Sequence, residues 1–216
     1  MAASTQIPPL EMRRDGPPDA AWTLVLAHGA GGAMDAPFMT GLAERVAAAG
    51  IEVVRFEFPY MRVRRATGRR RAPNTPRVLL ETWREVITAL GNPSRLVIGG
   101  KSMGGRVASA VADAAGVGGL VVLGYPFEPP GSTSGPRTGH LGDLPTPMLI
   151  CQGERDRFGG REEVAGYDLA PTIAFHWVPD GDHSFVPRKS SGHTLDANLD
   201  GAADAVARFI EGLRSG

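Results

Sequence analysis

Three short stretches of this sequence carry residue types able to perform nucleophilic catalysis, and they occur in a meaningful order. Gly99–Arg106 reads GGKSMGGR and contains the pattern G-x-S-x-G centred on Ser102. A serine hydroxyl is a weak nucleophile until a base takes its proton, and the base in turn needs an acid to orient it. Downstream, GERDRFG at Gly153–Gly159 offers Asp156 and PDGDHSF at Pro179–Phe185 offers His183. Serine, acid, histidine is the chain order in which one large group of hydrolytic triads is built. Upstream, HGAGG at His28–Gly32 is a glycine-rich turn. Its backbone NH at Ala30, with that of Met103 immediately after the serine, could form an oxyanion hole. Together these residues predict acyl transfer through a covalent intermediate.

Each assignment has competitors. His193 follows the same strand as His183 and is its strongest rival. His176 falls inside a strand and reads as a core or sheet-face residue, while His140 lies in a loop and His28 reads as structural. Glu154 is the nearest alternative acid; Asp182 adjoins His183 in sequence and would have difficulty reaching back to its ring. In a chain with 29 glycines among 216 residues, G-x-S-x-G also arises readily by composition. The elements that position these loops must therefore decide.

Apolar, β-branched-rich runs of strand length recur at Trp22–Ala27, Ile51–Phe58, Arg95–Gly99, Leu120–Gly124, Met148–Gln152 and Thr172–Val178. Most lack polar alternation, as expected of strands covered on both faces. Helical segments lie between them. Asp35 can cap a helix with Pro37 in its first turn that ends by Gly50, and Thr75-Pro76 opens another that stops at Gly91. A further helix is expected after Ser102 and a last one from about Asp196 to Leu213. Alternation of strand and helix predicts a doubly wound α/β sandwich. In such a sheet ligands bind beyond the carboxyl ends of the strands. GGKSMGGR passes this test, because it follows the strand RLVIG and opens a helix. HGAGG, Asp156 and His183 likewise follow strands.

Composition narrows the alternatives. The formal charge is zero and 42% of residues are hydrophobic, which argues against a disordered chain and against a globally basic nucleic-acid binder. The single cysteine, Cys151, excludes an intramolecular disulfide and fits a reducing compartment. No leader-like start and no membrane-spanning run is visible. The expectation is a single cytoplasmic domain over residues 1–216, irregular over 1–20, with no membrane or nucleic-acid partner. The loop between Glu128 and Pro147 leaves room only for a small lid. Neither phosphate-loop spacing nor zinc-ligand spacing is present, so no cofactor and no metal are expected.

Arg62, Arg64, Arg65, Arg69, Arg70 and Arg71 crowd into ten residues after the strand ending at Phe58. A solvated basic loop, a clamp for a carboxylate or phosphate on the substrate using Arg69 and Arg70, and a nucleic-acid or acidic-protein surface all remain open. Lys101, beside the serine, could act on an anionic leaving group or be a partly exposed turn residue.

The HGAGG, GKSMGGR, GERDRFG and DGDHSF series resembles the α/β-hydrolase superfamily over essentially the whole chain from Trp22. More narrowly, HGAGGAMDAPFM, FEFPYM, GRRRAPNTP, GGKSMGGR and DHSFVPRKSSG resemble a small bacterial group of capless, dienelactone-hydrolase-like proteins. Its eukaryotic relatives include a testis-expressed protein and a regulatory subunit of a histone-acetyltransferase complex. The resemblance implies an α/β-hydrolase fold of about six strands or more without a large cap, and a triad at Ser102, Asp156 and His183. Two departures matter. Dienelactone hydrolases carry cysteine where this chain has Ser102, and the early antiparallel strands of larger relatives are expected to be reduced or missing. The resulting expectation is a serine hydrolase of a small ester or thioester, an anionic one if the arginines take part. The alternative is a non-catalytic module that holds an acidic partner through the Arg62–Arg71 loop.

Overall fold

In the computed structural model, which describes residues 7–213, the strand-forming runs assemble into one seven-stranded sheet. Its strands are β1 (Met12–Asp15), β2 (Thr23–Ala27), β3 (Glu52–Phe56), β4 (Leu96–Lys101), β5 (Gly119–Leu123), β6 (Met148–Gly153) and β7 (Ile173–Val178). The order across the sheet is β1-β3-β2-β4-β5-β6-β7, and every pairing is parallel except β1 with β3. The helices are α1 (Pro37–Ala48), α2 (Pro59–Thr67), α3 (Pro76–Leu90), α4 (Met103–Ser109), α5 (Ala112–Ala115), α6 (Arg161–Val164) and α7 (Leu195–Gly212).

The continuous apolar runs have the predicted cause. Along β2, Leu24 and Leu26 enter one core while Val25 and Ala27 enter the other. The first core is completed by Leu42 and Val46 of α1 and by Val206 and Ile210 of α7. The second is completed by Trp83 and Val86 of α3 and by Val107 of α4. Burying a Val, Leu or Ile side chain contributes about 1.5–3 kcal/mol, so both faces of each central strand hold the sheet. The direction in which successive strands are added across the sheet reverses at β2. The connection through α1 runs to β3 on one side, and the next crosses back over β2 to β4 on the other. A crevice therefore opens between the carboxyl ends of β2 and β4, where such sheets bind ligands.

Two expectations are corrected. The segment 1–20 is not wholly irregular: Met12–Asp15 form an antiparallel edge strand on β3, while residues 1–6 lie outside the described part. This edge is secured by Arg55, which is 1% exposed and donates to Asp15 at 3.1 and 2.8 Å, to the Met34 carbonyl and to Thr40. The arginine run is not simply a loop either. Arg62, Arg64 and Arg65 belong to α2, which closes at Gly68. Among the described residues no helix is long and apolar enough to cross a membrane. The stretch from Pro129 to Pro147 adds no helix or strand over the site.

Candidate active site

Ser102 sits on the turn between β4 and α4 with φ 50° and ψ −116°, a backbone region whose occupation by a non-glycine residue costs on the order of 1–3 kcal/mol. Neighbouring glycines make the turn possible. A Cβ on Gly100 would lie 2.0 Å from the Ala27 carbonyl oxygen, and one on Gly104 would lie 2.5 Å from the same atom. The tight approach is thus to β2, across the crevice, as well as within the turn. The parallel register sets Ala27 beside Gly100, so the HGAGG turn leaves β2 next to the serine.

Loops after β6 and β7 bring the other two residues to it. His183 Nε2 lies 2.9 Å from Ser102 Oγ, and His183 Nδ1 lies 2.7 Å from Asp156 Oδ2. Asp156 is 2% exposed. Its Oδ2 also accepts from Gln152 Nε2 at 3.0 Å, and its Oδ1 from the Phe158 NH at 2.9 Å. These donors fix the carboxylate so that one lone pair faces the imidazole.

The competing residues lie elsewhere in the fold. Glu154 accepts from Arg161 and from the Asp180 NH, and those contacts hold its carboxyl below the usual range. Asp182 accepts from the backbone NH groups of Ser184 and Val186, so it builds the turn that carries His183. His140 bonds to Ser109, and His193 is exposed. His176 lies within β7. His28 is fully buried, and desolvation pushes its pKa down. Its Nε2 accepts from the Phe58 NH, so Nδ1 carries the hydrogen that reaches the Gly29 carbonyl at 2.7 Å.

That last contact belongs to a set that sequence reasoning missed. The Tyr60 hydroxyl donates to the Ala30 carbonyl at 2.9 Å, and Arg64 donates to the Gly31 carbonyl at 3.2 Å. Three successive carbonyls of HGAGG are thereby held by side chains. Met103 is the first residue of α4, so its NH has no acceptor within the helix.

Ser102 and His183 open on a cavity of about 370 Å³ lined also by Ala30, Phe38, Met39, Lys101 and Phe158. Lys101 is 9% exposed rather than a surface residue of the turn, and desolvation pushes its pKa down to about 8. Arg69 and Arg70 are not brought to this cavity. They line a separate one of about 590 Å³ with Pro59, Tyr60 and Val63. After Gly68 the chain turns back along α2, where Asn74 accepts from the Tyr60 NH, and this return carries the arginines away from the serine. Arg65 pairs with Glu57 and Asp35, and Arg62 donates to the Pro8 carbonyl. Asp35 consequently does not cap α1, whose N-cap is Ala36.

A mostly parallel, lidless sandwich with a serine on a strained strand-to-helix turn has the architecture of an α/β-hydrolase-fold protein. A family model for the alpha/beta hydrolase domain matches residues 20–211, and the chain belongs to that family. Among solved structures it is similar to an α/β serine hydrolase homologue from Coxiella burnetii, at 20% identity over 92% of this chain and 90% of that one, with a TM-score of 0.69. A serine hydrolase without lid from Xanthomonas campestris is 24% identical over 94% and 89%, with a TM-score of 0.67. A dienelactone hydrolase from Anabaena variabilis is 19% identical over 94% and 91%, with a TM-score of 0.68. At these identities the likeness carries the fold. The cysteine of this chain, Cys151, is buried in β6, where desolvation pushes its pKa to about 12.

Proposed function

We propose that the protein is a cytoplasmic serine hydrolase that cleaves a small carboxylic ester or thioester through an acyl-enzyme. The observation that carries this reading is the unbroken hydrogen-bonded chain from Asp156 through His183 to Ser102 Oγ. His183 Nε2 takes the serine proton as Oγ attacks the carbonyl carbon. The oxyanion so formed accepts from the NH groups of Ala30 and Met103; loss of one such donor typically costs about 2.7–4 kcal/mol of transition-state stabilisation. Asp156 keeps the hydrogen on Nδ1, which leaves Nε2 free to act as base, and stabilises the imidazolium. Collapse of the intermediate expels the alcohol or thiol, which leaves with the proton from Nε2. Water then attacks the acyl carbon with His183 again as base, releasing the acid and restoring Oγ–H.

The non-catalytic reading is not favoured. Arg62, Arg64 and Arg65 direct their guanidinium groups to this protein's own carbonyls and carboxylates. A fluorophosphonate probe tests the catalytic reading. It is expected to label the wild-type protein and to leave Ser102→Ala unlabelled; a folded wild type that stays unlabelled contradicts the reading.

A further inference from the structure

The mechanism above leaves one buried charged group at the site unused. Lys101 Nζ donates to the His183 carbonyl oxygen. It lies 5.4 Å from the centroid of the Phe38 ring. It also abuts Gly124, where an added Cβ would meet Nζ at 3.0 Å and His183 Nδ1 at 3.2 Å. The ammonium therefore sits against the loop and ring of His183. An ammonium has three N–H donors, and the described residues supply an acceptor for one. Among the described residues Lys101 is also the sole lysine or arginine lining the cavity that Ser102 lines, whose other side chains include Phe38, Met39 and Phe158.

A buried ammonium with spare donors is costly unless an acceptor of opposite charge arrives. We propose that Lys101 is a specificity-determining residue, and that the substrate is an ester or thioester bearing a carboxylate within a few carbon atoms of the reacting carbonyl. The inference rests on the acyl-enzyme reading. A carboxylate entering the cavity accepts from the free N–H groups of Lys101 while Phe38 shields the pair from water. An unsubstituted aliphatic chain leaves the same donors unsatisfied. A charge-assisted hydrogen bond of this kind corresponds to about tenfold or more in kcat/KM. Its pH sense follows from the groups facing Nζ. Asp156 and Asp182 favour the cation, burial disfavours it more, and His183 lies alongside. The cation is present below a pH of about 8 and is lost as pH rises through that value.

The test compares 4-nitrophenyl hydrogen glutarate with neutral 4-nitrophenyl valerate, and 4-acetoxybenzoate with neutral phenyl acetate. The two pairs place the carboxylate on the acyl and alcohol sides respectively. A kcat/KM ratio of about ten or more for at least one pair is expected, falling toward one as pH passes about 8. Lys101→Met is expected to abolish the preference and Lys101→Arg to retain it. The ratio is the readout, because Lys101 also holds the His183 loop and either variant can change absolute rates. Calorimetric binding of glutarate to Ser102→Ala protein, compared with the Lys101→Met/Ser102→Ala double variant, tests the same ammonium without turnover. Ratios near one for both pairs, or a preference that survives Lys101→Met, overturn the inference while leaving the hydrolase reading intact. If no ester is turned over and the fluorophosphonate fails to label, the hydrolase reading falls. Glutarate binding that is weak or independent of Lys101 then overturns the role of the ammonium as well.

Discussion

At the scale of single residues, the decisive positions are those that hold Asp156 still. Gln152 is fully buried in β6, and the two N–H groups of its Nε2 are shared among Asp156, the Tyr125 carbonyl and the Gly159 carbonyl. Its Oε1 accepts from the Tyr125 NH at 2.7 Å. One side chain thus ties the acid loop to the end of β5. Gln152→Ala removes a donor from a buried carboxylate, at a cost of about 1.5 kcal/mol, and is expected to lower kcat about tenfold with KM nearly unchanged. Steady-state kinetics on a neutral aryl ester check this; an unchanged kcat would mean that the Asp156 position does not depend on Gln152. The roles of Gln152 and Tyr60 were not legible in the sequence, and Lys101 was legible only as a choice between acting on an anionic leaving group and being a partly exposed turn residue. Ser102, Asp156 and His183 announce themselves because each follows a strand in a loop with a known chemical demand. A glutamine within a strand or a tyrosine opening a helix acquires its role only when a distant backbone atom is folded against it.

At the scale of elements, the apolar patterns carried most of the architecture. The six runs of strand length became β2 to β7 with ends shifted by one or two residues, and the helices around Leu42, Trp83 and Val206 lie where their periodicity put them. Among the elements that escaped, β1 and α2 did so for physical reasons. β1 reads MRRD and has no apolar alternation, because it is held through backbone pairing and through the bonds from Arg55 to Asp15. α2 is short, and arginines occupy its outer face, so its buried residues Tyr60, Met61 and Val63 are masked in a charge run. The turn at Ser102 depends on a separation between β2 and β4 that admits no side chain at Gly100. That glycine has φ 141°, and a Cβ would lie 2.0 Å from Ala27 O. Gly100→Ala is therefore expected to cost about 3 kcal/mol or more. Urea unfolding monitored by circular dichroism reads this directly, and an unchanged midpoint would contradict the packing described.

For the molecule as a whole, the site is a product of sheet topology. The reversal at β2 sets HGAGG beside the serine turn, and the parallel run from β4 to β7 delivers Asp156 and His183 from the same edge. Nothing in residues 129–147 adds a helix or strand over the cavity, so under the proposed reading the lining residues themselves select the substrate. The arginines, prominent in the sequence, line a different cavity or serve the fold, and the buried Lys101 is the cation that the proposed anionic substrate would meet. In the proposed reaction this assembled site forms an acyl-enzyme on Ser102. Acid quenching during the first turnovers of 4-nitrophenyl acetate, followed by peptide mapping by mass spectrometry, tests it most directly. An acetyl group is expected on the peptide carrying Ser102, and none in Ser102→Ala. An acetyl group confined to another residue, or undiminished turnover by Ser102→Ala, would contradict it.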